Sequence, residues 1–288
     1  MTAYTAVVNP AAGHGAGAQV AAELVTLLPR GTLEVVGSRD GAHAREVATR
    51  AVGDGRVVVA VGGDGHTGAV AGAVAAAGGV LGIVPAGRGN DFARQLGLPT
   101  DPAGAAAVLR DGHERAVDVI DAAGRLVLGS VYAGVDSVAS EIVAARPRVP
   151  GRVVYPYAAV RALLTTRPAG FRLVLDGVEW AERGWSVVVA NSGWYGAGMH
   201  IVPTAVVDDG LLDVLMIRDS SRWALISSMR QVYDGSHVGR PDVEVRRART
   251  VELDADRPLP VHADGEPLTS GSVTVTVRPA ALRVLAPS

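Results

Sequence analysis

Residues 56–68 read Arg-Val-Val-Val-Ala-Val-Gly-Gly-Asp-Gly-His-Thr-Gly, and this stretch decides the fold. Its first half is an uninterrupted apolar run rich in valine, the composition of a strand buried on both faces. Its second half is a glycine turn, and a helix of small residues follows. Strand, glycine turn and helix form the repeating unit of a parallel sheet covered by helices. The same rhythm runs outward in both directions. Residues 3–8 are apolar and β-prone, then turn at Asn9-Pro10 through Gly13, Gly15 and Gly17. A helical pattern follows from Gln19, with Val20, Leu24 and Leu27/Leu28 on one face. Leu33–Val36 reads as a strand and 42–52 as a helix burying Ala44, Val47, Ala48 and Ala51. Leu81–Val84 is a further buried strand and Asn90–Leu96 a short helix. Asp101-Pro102 opens another helix as N-cap and first residue, with Gly112 past its end.

After about residue 115 the rhythm changes. Short alternating runs appear at Ala116–Ile120, Arg125–Val131, Phe171–Leu175, Trp185–Ala190, Asp213–Ile217, Asp242–Arg246, Thr250–Leu253, Val273–Val277 and Leu282–Leu285. The turn pairs Asp176-Gly177, Asp209-Gly210 and Asp264-Gly265 punctuate them, and helical pieces fall near 137–145, 153–166 and 221–232. The expected architecture is an α/β N-terminal domain with a parallel, Rossmann-like sheet over 1–120. A β-rich, sandwich-like domain follows over 121–288, its last strand a candidate to pack back on the first domain.

Composition narrows the chemistry. At 288 residues, two domains are the soft expectation, and 48% hydrophobic with 19% charged residues fits a globular chain. Zero Cys excludes disulfides, thiolate metal sites and Cys nucleophiles. All 27 basic residues are Arg, so a Walker A loop, a Schiff-base enzyme and a protein-kinase ATP site are excluded. A formal charge of −2 gives no global pull toward nucleic acid. Residues 68–87 are uncharged and long enough to span a bilayer, but Ala and Gly dominate them and supply little transfer free energy. A helix, a glycine turn and a strand fit them better. With no signal peptide at the N-terminus, the expected location is cytoplasmic.

Three glycine-rich segments lie just after strands of the first domain: Asn9–Gly15, Gly62–Gly68 and Pro85–Asp91. In an open parallel sheet these loops form the ligand crevice, and glycine lets backbone N–H groups approach a phosphate. Three such loops suggest a polyphosphate site. Gly63–Gly68 and Gly13–Ala18 also satisfy the dinucleotide fingerprint, a weak signal alone. Against that reading, no acid ends the second strand, which runs into Gly37-Ser38-Arg39. Asp64, inside its loop, would repel a bare pyrophosphate unless a divalent metal lay between.

Phosphoryl transfer needs a phosphate cradle, a divalent cation and a group that handles the acceptor hydroxyl. Asp64, Asp91 and Asp118 are placed to serve a Mg ion directly or through water. On composition alone, Asp264-Gly265 reads as a hairpin turn with an exposed Glu266 beside it, and Asp208-Asp209-Gly210 as a turn before a strand. His262, Asp264 and Glu266 alternate and could share a face unless a turn breaks the run. No Ser stands in a hydrolase context.

Taken together, these segments resemble the diacylglycerol kinase catalytic-domain family, especially its bacterial lipid-kinase branch, with sphingosine kinases as relatives. The first loop is similar to N-P-x-x-G-x-G, Gly62–Gly65 to G-G-D-G-T, and Gly87–Arg94 to G-T-x-N-D-F-A-R. Pro203–Asp213 is similar to P-x-A-x-x-x-D-G-x-L-D, and Asp264–Glu266 to D-G-E. The five motifs keep the family's order from Asn9 to Glu266. Three features depart: His66 follows the G-G-D-G run, with Thr67 next, Arg88 replaces the Thr of the third motif, and the first loop lacks the basic residue often found just after it.

The resemblance implies an ATP- and Mg-dependent lipid kinase with its active cleft between the domains. It implies nucleotide contacts at Asn9, Pro10, Gly13, Ser38, Gly62, Gly63, Asp64, Gly65, His66, Thr67, Gly68, Gly87, Arg88 and Asn90. Glu266 would be the general base, Asp64 would organise the Mg network, and Asp91 and Asp118 would support it. Asp209 with the carbonyls of Val206 and Leu211 would match a second, structural Mg site. The expected partners are a lipid with a free hydroxyl, an anionic membrane surface at the inner face, and a second copy in a homodimer. The basic run over 142–175, holding Arg146, Arg148, Arg152, Arg161, Arg167 and Arg172 and no acid, is the candidate for that surface. Other readings are a different G-G-D-G kinase such as NAD kinase or phosphofructokinase, a non-catalytic nucleotide- or lipid-binding protein, and a dinucleotide oxidoreductase.

Overall fold

The computed structural model describes residues 2–145 and 153–287. The chain divides into two units, Met1–Val119 with Arg278–Ser288, and Ile120–Val277.

In unit 1, four strands alternate with helices: β1 (Tyr4–Val8), α1 (Ala16–Leu27), β2 (Leu33–Gly37), α2 (Gly41–Gly53), β3 (Val57–Gly62), α3 (Asp64–Ala77) and β4 (Val80–Pro85). The short α4 (Asp91–Gln95) and α5 (Pro102–Asp111) follow. The strands run parallel in the order β2-β1-β3-β4. α1 packs on α5, and α2 on α3. Local chemistry sets the helix starts. Asp40 accepts the His43 N–H at 2.8 Å ahead of α2, and Asp101 accepts the Gly104 N–H at 2.8 Å ahead of α5. The uncharged stretch 68–87 is the body of α3, a turn at Gly78 (φ +69°) and β4. No helix among the described residues is long and apolar enough to cross a membrane.

This strand order has a consequence. The chain leaves β1 toward one edge of the sheet and leaves β3 toward the other. The two connections diverge and open a crevice above the carboxyl ends of β1 and β3. The first two glycine loops begin there.

Unit 2 is antiparallel. β5 (His113–Ala122) runs through the boundary at residue 120, and β6 (Arg125–Val127) and β7 (Ser130–Gly134) follow. After α6 (Val135–Ala144) and α7 (Val154–Thr165) come β8 (Ala169–Leu175), β9 (Val178–Ala190), the two-residue β10 and β11 (Trp194–Tyr195 and Met199–His200) and β12 (Leu212–Arg218). Helices α8 (Arg222–Ser228) and α9 (Gln231–Asp234) precede β13 (Val243–Ala248), β14 (Thr250–Ala255), β15 (Pro260–Ala263) and β16 (Glu266–Ser270). The long β17 (Val273–Ala286) pairs with β14 through its first half and, inside unit 1, with β4 through Arg283 and Val284. β9 serves twice: Val178–Gly184 pairs with β8, and Ser186–Ala190 lies between β7 and β12. Phe171, Leu173, Trp180, Val187, Leu212, Met216 and Leu253 fill its core.

Four details differ from the sequence pattern. The run Arg125–Val131 breaks into β6 and β7 because the Asp264 carboxylate draws in the N–H groups of Leu128, Gly129 and Ser130. The segments 273–277 and 282–285 form one strand, and the helix near 221–232 is two short ones. β15 and β16 carry no strand pattern in the sequence because Pro258, Pro260 and Pro267 punctuate them, and proline argues against a strand. Two of the three Asp-Gly pairs are hairpin turns: Asp176-Gly177 has φ +48° and +87°, Asp264-Gly265 +47° and +86°, whereas Asp209-Gly210 lies in the loop before β12. Positive φ at both central residues is the geometry that matches strand twist.

Candidate active site

The three glycine loops of unit 1 converge at residues 86 and 87. Gly13 has φ +56°, and a β-carbon there would lie 2.6 Å from the Ala86 carbonyl oxygen. A β-carbon on Gly87 would lie 2.4 Å from the Gly63 α-carbon. Only glycine allows backbones to approach this closely. Ala86 also donates its N–H to the Gly62 carbonyl at 2.8 Å. The loops after β1, β3 and β4 therefore meet backbone to backbone.

Asp64 binds the second loop to the third. One carboxylate oxygen accepts the Asn90 N–H at 2.8 Å and the other the Asp91 N–H at 2.6 Å. These donors open α4, so Asp64 caps that helix from a distance. Burial pushes the Asp64 carboxyl above its ordinary range, and the backbone N–H groups of Asp91, Asn90 and Phe92 pull it back. Asn90 holds a left-handed backbone (φ +52°). Its side chain bonds Gly87 in both senses, accepting at 2.9 Å and donating at 3.1 Å. Asp91 is buried, and Arg88 is exposed at the loop's tip.

The remaining nucleotide candidates fall around the first two loops. Asn9 accepts the Ala11 N–H at 3.1 Å through its side chain, which shapes the turn at the exposed Pro10. Ser38, at the end of β2, donates its N–H (2.7 Å) and its hydroxyl (2.9 Å) to the Val8 carbonyl. The Thr67 N–H bonds the Gly63 carbonyl at 2.9 Å, so Thr67 and Gly68 already belong to the ladder of α3. The N–H groups of Asp64, Gly65 and His66 precede that ladder, at the positive end of the helix. The His66 Nε2 sits 2.9 Å from the Val7 carbonyl oxygen, and a carbonyl partner requires a proton on that nitrogen. Burial pushes the His66 pKa down. His66 is thus a neutral tether to β1, and its contribution to an anion is its backbone.

Asp118 is 2% exposed on β5 and accepts the Ala280 N–H at 2.7 Å. It fixes the returning segment of unit 1.

In unit 2, Asp264 accepts N–H groups from Leu128 (2.9 Å), Gly129 (3.0 Å) and Ser130 (2.9 Å). The turn separates His262 from Glu266. His262 is buried and stacked on Tyr132 at 6.0 Å, and Glu266 is exposed at the start of β16. The Nδ1 of His262 meets no hydrogen-bond partner among the described residues. The expected second metal site is differently engaged. One oxygen of Asp209 accepts the Leu211 N–H at 3.0 Å, and the other pairs with Arg247, whose Nε also lies 3.4 Å from Asp213. As arranged, Val206, Asp209 and Leu211 do not fit a divalent cation, because a guanidinium already supplies positive charge to that carboxylate. Asp64 fits one better. The partners its carboxylate shows are backbone N–H groups, none of which brings a full positive charge.

Known proteins resemble both units of the chain. The diacylglycerol kinase catalytic domain matches residues 3–122, and the YegS C-terminal NAD kinase beta sandwich-like domain matches residues 129–286. A diacylglycerol kinase of Mycobacterium tuberculosis is 37% identical over 299 residues, covering 98% of this chain and 94% of the relative. A YegS-like lipid kinase of Pseudomonas fluorescens is 32% identical over 206 residues, covering 71% of this chain and 68% of its own. The crystal structure of a diacylglycerol kinase from Bacillus anthracis superposes with a TM-score of 0.76 at 20% identity, covering 99% of this chain and 96% of that one. The two units thus define an enzyme, a phosphotransferase with an alcohol acceptor. The chain belongs to the diacylglycerol kinase family, with the YegS type of C-terminal domain.

Proposed function

We propose that this chain transfers the γ-phosphoryl group of ATP to a hydroxyl of diacylglycerol or a related lipid. The observation that carries the nucleotide half is the convergence of three glycine loops beside the switch point, with Asp64 between them. The acceptor half rests on the names of the relatives.

The backbone N–H groups of 9–15 and 64–66 cradle the phosphates at the starts of α1 and α3. With no Lys in the chain, Arg88 is the side chain suited to add positive charge there. Asp64 would hold a Mg ion, with Asp91 in support, and the ion when bound neutralises charge on the β- and γ-phosphates. Glu266 takes the proton of the acceptor hydroxyl as it attacks.

A labelled-ATP assay against a lipid extract, with mass spectrometry of the product, tests the reaction class and names the acceptor. Glu266→Gln lowers turnover by roughly 10²–10⁴ while nucleotide binding persists. Turnover near that of the parent chain removes Glu266 as the base.

A further inference from the structure

All 27 basic residues of the chain are Arg, and the fold engages them unequally. In the run over 142–175, Arg146, Arg148 and Arg152 lie outside the described residues. Arg172 of that run meets Glu179 at 3.6 Å with both side chains more than half exposed, and a pair of that kind contributes little. Arg247, on β13, is placed differently. It reaches two carboxylates at once, and one of them is buried.

The register of β12 and β13 sets Asp213 opposite Arg247, so the two side chains share a face of the sheet. Asp213 is 1% exposed. A carboxylate at that depth needs hydrogen bonds and a countercharge. One of its oxygens accepts the Thr204 hydroxyl at 2.6 Å, and the other lies 3.4 Å from Arg247 Nε. Arg247 Nη2 donates to Asp209, whose second oxygen accepts the Leu211 N–H at 3.0 Å. Nε and Nη2 form one edge of the planar guanidinium, so a single rigid fork spans both acids. The edge of β13, the start of β12 and the loop before it are thereby joined. Within that loop Ala205 and Val207 are buried, and Val206 between them is exposed.

The family resemblance implied a divalent cation at this place, held by Asp209 with the carbonyls of Val206 and Leu211. Carboxylate and carbonyl oxygens are the donors that a hard cation takes. We infer that Arg247 stands in place of that cation: its tethered charge holds Asp209 against Asp213, and unit 2 orders this loop without a bound metal. A guanidinium attached to a neighbouring strand is present at any metal concentration, which a dissociable ion is not. The inference concerns unit 2 alone and does not rest on the kinase reading, so its test uses neither nucleotide nor turnover. Its consequence for the proposed reaction is that the divalent requirement narrows to the site at Asp64.

The full chain is melted in EDTA and in about 10 mM magnesium or calcium, with sodium chloride matching the ionic strength so that screening is equal throughout. The parent and Asp209→Asn are expected to respond equally to the cations, because none sits at Asp209. Arg247→Ala leaves two carboxylates without their shared cation, and its melting temperature falls by about 5 °C. Magnesium or calcium then returns about 3 °C, the gain for a cation at about ten times its Kd. Arg247→Ala with Asp209→Asn loses that gain, and Arg247→Lys, which keeps the charge, shows none. A parent whose melting falls in EDTA and recovers in magnesium, with Asp209→Asn abolishing the recovery, overturns the inference without reference to any Arg247 variant. So does an Arg247→Ala chain that melts as the parent does, or one that melts lower and gains nothing from either cation. Arg247→Gln, which keeps part of the stem and removes the charge, takes the place of the alanine variant in the same comparison should that variant not fold.

Discussion

The contact between Gly63 and Gly87 makes the sharpest prediction, because one methyl group tests it. A β-carbon on Gly87 would stand 2.4 Å from the Gly63 α-carbon, and ordinary contact begins near 3.4 Å. The neighbour is backbone, so no side chain can swing aside, and the second and third loops must part by about 1 Å. Overpacking of this kind costs about 1–3 kcal/mol of stability. The cost to catalysis is larger in proportion, since a displacement of about 1 Å at a positioning element lowers turnover by roughly 10². The reverse substitution is milder. A β-carbon on Gly63 would stand 3.2 Å from the Gly87 α-carbon, so Gly63→Ala needs only a few tenths of an ångström. Thermal melts and steady-state kinetics with ATP and a diacylglycerol acceptor compare the two variants. Gly87→Ala is expected to be the more damaged in both assays, its turnover falling by about two orders of magnitude. A Gly87→Ala chain with parental melting and turnover, or a Gly63→Ala chain worse than it, refutes the idea that these loops abut.

Asp64→Asn keeps one acceptor but turns an amide N–H₂ toward a backbone donor at Asn90 or Asp91. A hydrogen bond to a buried charge contributes about 1.5–3 kcal/mol, so urea midpoints should report a loss of about 2–4 kcal/mol, with nucleotide affinity falling too. Asp264→Asn keeps a residue that tolerates positive φ but removes the charge facing three N–H groups. It should destabilise by about 1–3 kcal/mol and expose the amides of Leu128, Gly129 and Ser130 to hydrogen exchange. Acid should act through Asp242, whose carboxyl Arg240 holds below its ordinary range with two bonds of 2.8 Å. A lowered folded pKa gives stability that is present above the unfolded value of about 3.9 and lost as pH falls through the folded one. Asp242→Asn should therefore lower stability at neutral pH, leave it little changed in acid below the folded pKa, and so flatten the acid limb of stability against pH.

The fold of unit 1 was legible because each of its parts is local. A valine run, a glycine turn and an aspartate cap each act within a few residues, and β3, α2 and α5 lie within two residues of where those signals put them. Unit 2 was legible in class and less so in detail, for reasons that lie beyond the local window. β6 and β7 separate because of a carboxylate more than 130 residues away. β17 is continuous because its two halves pair with different partners, so neither half shows the full pattern of a long strand. The role of Arg247 had no sequence signal at all. An arginine one residue past the run that reads as a strand is a solvated charge until its partners are known.

The carboxylates show the same divide between motif and role. Spacing alone marks Asp64, Asp118, Asp264 and Glu266 as candidates for chemistry and cannot rank them. In the fold, three of the four face backbone: Asp64 meets N–H groups 26 and 27 residues away, Asp118 one 162 away, and Asp264 three about 135 away. A carboxylate that accepts several N–H groups is held in one orientation, which suits a tether or an anchor for a cation. It is poorly suited to accept a proton in a transition state, where a base must be reachable by the acceptor. Glu266 is the exposed member of the set, one residue past the turn that Asp264 locks. The aspartate and glycine of that D-G-E segment fix the direction in which the strand leaves the turn, and the glutamate has the exposure that the proposed base role requires. On this division, charge removal at Asp264 should register first in stability, and charge removal at Glu266 first in turnover.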